Sequence, residues 1–75
     1  MWKEGSLSVY GDIFHWWLKV YESPSKFGIN GGKVSKMMLK RNGQIVMNYD
    51  RGWDIKPVDE NTKLAMELLL HGENY

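Results

Sequence analysis

The chain has no cysteine among its 75 residues, so no disulfide braces it and structural zinc sites of the cysteine-rich kind are excluded. Only His15 and His71 offer imidazole, so no metal site is expected. Long apolar runs are missing too. Nothing approaches the ~18 residues that a membrane-spanning helix needs, and no membrane partner is expected. The opening "MWKEGSLSVYGD" has no basic segment leading into an apolar one, so no signal peptide is expected and the cytoplasm is the natural setting. A single domain over residues 1–75 follows from the length. A chain this short buries only about 60–65% of the surface its unfolded form exposes. With disulfides and metal set aside, oligomerisation is the remaining common reinforcement.

Charge of one sign is also scarce overall, with a net of +1, but it is unevenly spread. Residues 19–41 carry Lys19, Lys26, Lys33, Lys36, Lys40 and Arg41 against Glu22 alone, while residues 50–75 are acidic on balance. The middle of the chain is its basic side.

Alternation of apolar and polar residues marks two β-hairpins. Gly11-Asp12 reads as a two-residue turn, pairing Val9 with Phe14 and Leu7 with Trp16 on one face, and Ser8 with His15 and Glu4 with Lys19 on the other. Asn42-Gly43 is the strongest short hairpin signal. It pairs Leu39 with Val46 and Met37 with Asn48, and sets Met38 against Met47 and Lys36 against Tyr49. Strands are expected over 4–10, 13–21, 33–41 and 44–50. After Trp53 the spacing becomes helical. Asp59 is an N-cap, Glu60 suits the positive end of the dipole, and Leu64, Ala65, Leu68 and Leu69 form the apolar stripe of a helix over 59–71. The expected fold is α+β: a four-stranded antiparallel meander of two hairpins with one C-terminal helix on one face (β-β-β-β-α).

One helix covers one face of such a sheet. The other face is expected to show Tyr10, Ile13, Trp17, Tyr21, Met38 and Met47 as an interface, with Ile45 and Tyr49 beside them. An aromatic side chain buries roughly 150–250 Å², worth about 4–6 kcal/mol at roughly 25 cal/mol per Å². Leaving several bare forgoes more than the ~4–11 kcal/mol stability of a chain this long. An exposed apolar patch of that size marks an interaction surface, and a homodimer is the first partner to consider.

Candidate sites are few. "FGINGGK" (27–33) is a glycine-rich loop whose backbone N–H groups can cradle an anion, with Lys33 adding charge. It lacks the phosphate-loop spacing and leads into a strand. For a small anionic, nucleotide-like ligand, Asn30, Gly31, Gly32, Lys33 and Arg51 would hold the charge, with Trp17 or Tyr49 stacking. His15 opposite Ser8 has no carboxylate to orient it, so no catalytic residue is assigned. "NYDRGWD" (48–54) collects Asp50, Arg51 and Asp54 in a pattern best explained as a corner: Arg51 tying the aspartates, Gly52 allowing the turn, Trp53 plugging the core. Rings interleaved with lysines on a sheet also describe a single-stranded nucleic-acid platform. No cofactor is expected.

The pair "FGINGGKVSKMML" and "VMNYDRGWD" resembles a family of small uncharacterised proteins from phages and mobile elements of Gram-positive bacteria, along nearly the whole chain. The resemblance implies no activity and no catalytic residue. It implies a phage-type cytoplasmic context, in which capture or inhibition of a host protein is a sensible role. The expected function is a non-enzymatic binding module that self-associates, through its aromatic sheet face or by extending the sheet edge, and captures a host protein or a small anionic ligand. Single-stranded nucleic-acid binding is the alternative.

Overall fold

In the computed structural model, which describes residues 1–72, five strands precede one helix. They are β1 (Trp2–Val9), β2 (Asp12–Val20), β3 (Val34–Arg41), β4 (Gln44–Asp50) and β5 (Trp53–Ile55), followed by α1 (Glu60–Gly72). The strands pair antiparallel in sequence order, β1-β2-β3-β4-β5. The α+β class stands, and the count of four strands is corrected to five. β5 escapes sequence analysis because three residues are too few to display alternation, and Pro57 follows at once.

The first hairpin turns at Tyr10-Gly11 rather than Gly11-Asp12. Both residues have positive φ, 49° and 88°, as a type I′ turn requires. Glycine in second place makes this turn a counterpart of Asn42-Gly43, whose φ values are 53° and 77°. The register therefore moves by two: Leu7 faces Phe14, Gly5 faces Trp16 and Ser6 faces His15. Because side chains alternate with period 2, a two-residue shift leaves every strand residue on its expected face. Tyr10 leaves the strand and is 86% exposed in the turn.

The second hairpin forms at Asn42-Gly43, but its faces differ from expectation beyond the first pairs. Lys40 opposes Ile45 and Leu39 opposes Met47, leaving Val46 as a β-bulge. One extra residue reverses the rest of β4: Met38 now faces Asn48, Met37 faces Tyr49 and Lys36 faces Asp50. A straight ladder would have put Asn48 and Asp50 toward the core and Met47 and Tyr49 outside. Burying those polar groups without partners costs several kcal/mol, on the order of the fold's whole stability. With the bulge, Met47 is fully buried, Tyr49 is 7% exposed and Val46 is buried beside them. The Tyr49 hydroxyl donates to the Phe27 carbonyl at 3.0 Å, so burying the ring strands no polar group.

The core lies between the sheet and α1. Phe14, Leu18, Met37, Leu39 and Met47 line the sheet side, and Ala65, Met66 and Leu70 line the helix side. The buried stripe of α1 is Thr62, Ala65, Met66 and Leu70, with Leu69 half-buried. That spacing is a correction, since Leu64 and Leu68 point outward. Asp59 caps α1 as expected: its Oδ1 accepts the Thr62 N–H at 2.9 Å and the Thr62 hydroxyl at 2.7 Å. Its Oδ2 accepts from Arg41 Nη2 at 2.6 Å, and Arg41 Nη1 donates to Asp12 at 2.9 Å. Arg41 also lies 5.3 Å from the centre of the Phe14 ring. One guanidinium thus ties the first hairpin turn, the end of β3 and the start of α1.

Candidate functional site

Two surfaces compete for the role of binding site: the glycine loop at residues 27–33 and the sheet face that α1 leaves open. In the loop, Ile29–Gly31 form a single turn of 3-10 helix. The Gly31 N–H donates to Gly28 O, and the Gly32 N–H to Ile29 O. The Gly28 N–H donates to Ser25 O, and Gly32 O accepts from Ser25. The N–H groups of Gly31 and Gly32 are therefore spent inside the loop and do not point at an anion. The glycines have a steric reason instead: a Cβ on Gly28 would stand 1.9 Å from Gly32 O. Ile29 is buried, whereas Phe27 is half exposed with Lys26 over its ring.

Arg51 sits at the β4–β5 corner. It is Arg51, with φ 56°, that takes the left-handed conformation there, not Gly52. Its N–H donates to Ser35 O, and the Asp50 N–H donates to Gly52 O, both at 2.9 Å. Its guanidinium stands 3.8 Å from Asp50 and remains largely exposed. Asp54 is not its partner, for the Asp54 carboxylate accepts from Asn48 Nδ2 at 2.9 Å. Trp53 is not a core plug either. It is 42% exposed and meets Tyr49 edge-on, with ring centres 5.1 Å apart.

The open face is built differently. Alternation along β2 brings Ile13, His15, Trp17 and Lys19 to it; β3 adds Lys36, Met38 and Lys40, and β4 adds Asn48 and Asp50. Trp2 joins from the edge strand, opposite Lys19. A groove of about 500 Å³ runs here, with Trp2, Trp17, Met38, Lys36, Lys40 and Asn48 among its lining residues. Tyr21 lies just past β2, half exposed beside Lys19.

Lysines stand over the rings of this groove. Lys40 is 5.9 Å from the Trp17 ring centre, and Lys36 and Lys19 are 5.8 and 5.7 Å from that of Trp2. Lys19 is also 5.5 Å from the Tyr21 ring, and its hydrogen bond and charge pull the Tyr21 phenol below its ordinary pKa of 10.0. Lys36 has a carboxylate partner, Asp50, at 3.4 Å. Among the described residues, no carboxylate lies within ion-pair distance of Lys19 or Lys40. The ring faces attract the ammonium groups through their negative quadrupoles, so positive charge is held on an apolar, ring-lined floor.

Of the residues singled out in the sequence, Trp17, Met38, Ile13 and Tyr21 belong to this face. Tyr49 is among the groove's lining residues although the bulge turns it and Met47 into the core, and Tyr10 sits in the turn. Asn30, Gly31, Gly32, Lys33 and Arg51 are not lining residues of the groove. Lys36 and Lys40 are among the lysines expected between rings on a nucleic-acid platform, whereas Trp2 and Asn48 were missed as site residues. Trp2 was legible, since it shares the even-numbered face of β1 and sits diagonally across from Trp17. Asn48 was not, because its face depends on the bulge. Among the described residues, no group of three His, Cys, Asp or Glu is placed to hold a metal ion, and no helix is long and apolar enough to cross a membrane.

No curated protein and no solved structure matches the chain. Over residues 1–74 it matches one family described as a domain of unknown function, DUF7678. The chain belongs to that family of small domains.

Proposed function

We propose that this chain is a non-enzymatic binding module whose open sheet face takes a planar, anionic, nucleotide-like group. The observation that carries the proposal is the placing of Lys36 and Lys40 over the Trp2 and Trp17 rings of one groove. Trp2 and Trp17 come from diagonal positions of neighbouring strands, where backbones lie about 7–8 Å apart. Contact distances near 3.5–4.0 Å on each side let one planar ring fit that interval. A base entering would displace the ammonium groups from the tryptophan faces and leave them free to meet its phosphate. Stacking of this kind is worth roughly 1–3 kcal/mol per base, and charge-assisted contacts to phosphate add to it. The groove is of the size that small-ligand sites usually have, roughly 300–1,000 Å³.

The glycine loop is set aside as the anion site because the Gly28, Gly31 and Gly32 amides are already bonded. A single strand of nucleic acid is the second reading, favoured by the continuation of rings and lysines past the groove to Lys19 and Tyr21. In a phage-type, cytoplasmic context, the same face would serve to sequester a host factor or its nucleotide.

Titration of tryptophan fluorescence with a mononucleotide and with short single-stranded oligonucleotides, at low and raised salt, tests the proposal. Quenching is expected, with a salt slope of about −1.4 for two phosphate contacts on a single strand, weakened by Lys36→Gln and by Lys40→Gln. Equal affinity for the mononucleotide and the oligonucleotide supports the small-ligand reading; steep tightening with length supports the strand. No quenching by either at low salt overturns both.

A further inference from the structure

The free edge of β1 has a geometry that the binding proposal does not use, and its case stands independently of any ligand. β1 is the outermost strand of the sheet. It runs from Trp2 to Val9 with no proline and no bulge, and the edge-guarding features it does carry are the charged Lys3 and Glu4. Which of its groups face outward follows from one pair of bonds. The Met1 amino group donates to Val20 O, and the Val20 N–H donates to Met1 O, both at 2.9 Å. Antiparallel ladders alternate bonded and non-bonded pairs, so Lys3, Gly5, Leu7 and Val9 bond inward to β2. The N–H and C=O of Trp2, Glu4, Ser6 and Ser8 therefore point outward. Among the described residues, no backbone group of another segment bonds to them.

We propose that a second copy of this chain pairs along this edge, β1 against β1, antiparallel, with Gly5 facing Gly5 across the two-fold axis. Charge and shape select that register. Both sheet faces continue across the junction only when even-numbered residues oppose even-numbered ones. Centring on Glu4 sets two carboxylates against each other, and centring on Lys3 pairs Trp2 with Glu4 but leaves Ser6 and Ser8 beyond the partner strand. Centring on Ser6 carries Trp2 past the strand, opposite Tyr10 in the turn. Centring on Gly5 places Glu4 opposite Ser6 and Trp2 opposite Ser8, and engages every outward-facing group of the strand. Gly5 is suited to the axis for a second reason. The Trp16 ring lies over it so closely that a Cβ there would stand 2.7 Å from ring carbon Cζ2. Two half-buried Trp16 rings would then flank the axis on the helix side and shield each other from water. The isologous contact closes on itself, giving one ten-stranded sheet with both helices on one side and both open faces on the other.

Light scattering coupled to size exclusion, at tens of micromolar chain, tests the pairing. The expected mass is twice the 8.8 kDa of one chain. Ser6→Pro removes an outward N–H that the fold itself does not use, and is expected to give a monomer with unchanged circular dichroism. Ser6→Glu sets a new carboxylate against Glu4 of the second copy and is expected to give a monomer too. Adding Glu4→Lys to Ser6→Glu restores opposite charge across the junction and is expected to restore the dimer. A monomeric parent chain overturns the proposal. So does a dimer indifferent to Ser6→Glu, or a double variant that stays monomeric, since only the Gly5-centred register sets residue 4 against residue 6.

Discussion

Replacing Met47 with alanine tests the reversal of β4 directly, because Met47 would join Met38 on the open face in a straight ladder and enters the core only if Val46 is bulged. Met47 has no exposed surface and packs in the core, whereas Met38 is half-buried on the open face. Truncating a fully buried methionine costs about 2–5 kcal/mol, combining lost transfer energy with the cavity left behind. Against a total of about 4–11 kcal/mol, that is a large share, and it corresponds to a fall in Tm of at least ~8 °C for a domain this size. Met38→Ala removes contacts on one side only and is expected to cost about 1 kcal/mol or less. Urea unfolding followed by far-ultraviolet circular dichroism measures both, the two variants sharing an m-value if each simply loses stability. A straight ladder would leave both methionines on the open face and predicts similar, small costs for the two variants. If Met47→Ala proved no more damaging than Met38→Ala, the bulge and the core assignment of Tyr49 would both be wrong.

Three further outcomes follow from the same contacts. Gly28→Ala drives a methyl into Gly32 O, so it is expected to lower the urea midpoint by an amount in the upper part of the common ~0.5–3 kcal/mol range. Gly52→Ala, where nothing lies within reach of the added methyl, is expected to stay within about 0.5 kcal/mol. The Asp59 carboxyl is held well below its ordinary pKa of 3.8 by Arg41 first and by the Thr62 bonds next. Below that ordinary value the unfolded chain binds a proton that the folded chain refuses, so stability falls as pH drops through the acid range. Acid unfolding is expected to show a flatter limb in Asp59→Asn, which keeps a capping oxygen but loses the charge; an unchanged limb would deny the linkage. In a phenolate absorbance titration, Tyr21 is expected to ionise below the ordinary 10.0 because of Lys19. Tyr21→Phe should remove that early phase and Lys19→Gln should raise it.

Much of the fold was legible because strand alternation and turn chemistry report on neighbours in sequence. Asn42-Gly43 specified its own hairpin, and Asp59 announced the helix start, each through a local bond or dihedral. The first hairpin's turn was displaced by one position, yet its faces survived, since any even shift preserves alternation. What local pattern does not report is a break in alternation. Val46 and Met47 are consecutive and both buried, a pairing no period-2 template allows. Its cause is non-local: Tyr49 reaches across the core to the Phe27 carbonyl, twenty-two residues back in the chain. The outward leucines of α1 have a similar origin. Leu64 and Leu68 fit a stripe at helical spacing as well as Thr62 and Met66 do, and only the position of the sheet decides between them.

That single bulge also determines what the open face can be. In the unbulged register, the face would gain Met47 and Tyr49 and lose Asn48 and Asp50, making it an apolar patch suited to burying against another protein. With the bulge, two of its large apolar groups go inward and polar groups replace them. What remains is a narrower floor of Trp2, Trp17 and Met38 under lysines. Such a surface is poor at flat apolar docking, because burying Lys40 and Lys19 without carboxylate partners would carry a desolvation cost of several kcal/mol per charge. It is well suited to a ligand that brings its own negative charge and a ring. Self-association is then better proposed for the edge, where Trp2, Glu4, Ser6 and Ser8 present backbone that no other segment among the described residues bonds. In "NYDRGWD" the residues then divide by face: Tyr49 and Trp53 meet on the helix side, while Asn48 and Asp50 line the groove. The corner made by Arg51 sets where the floor ends.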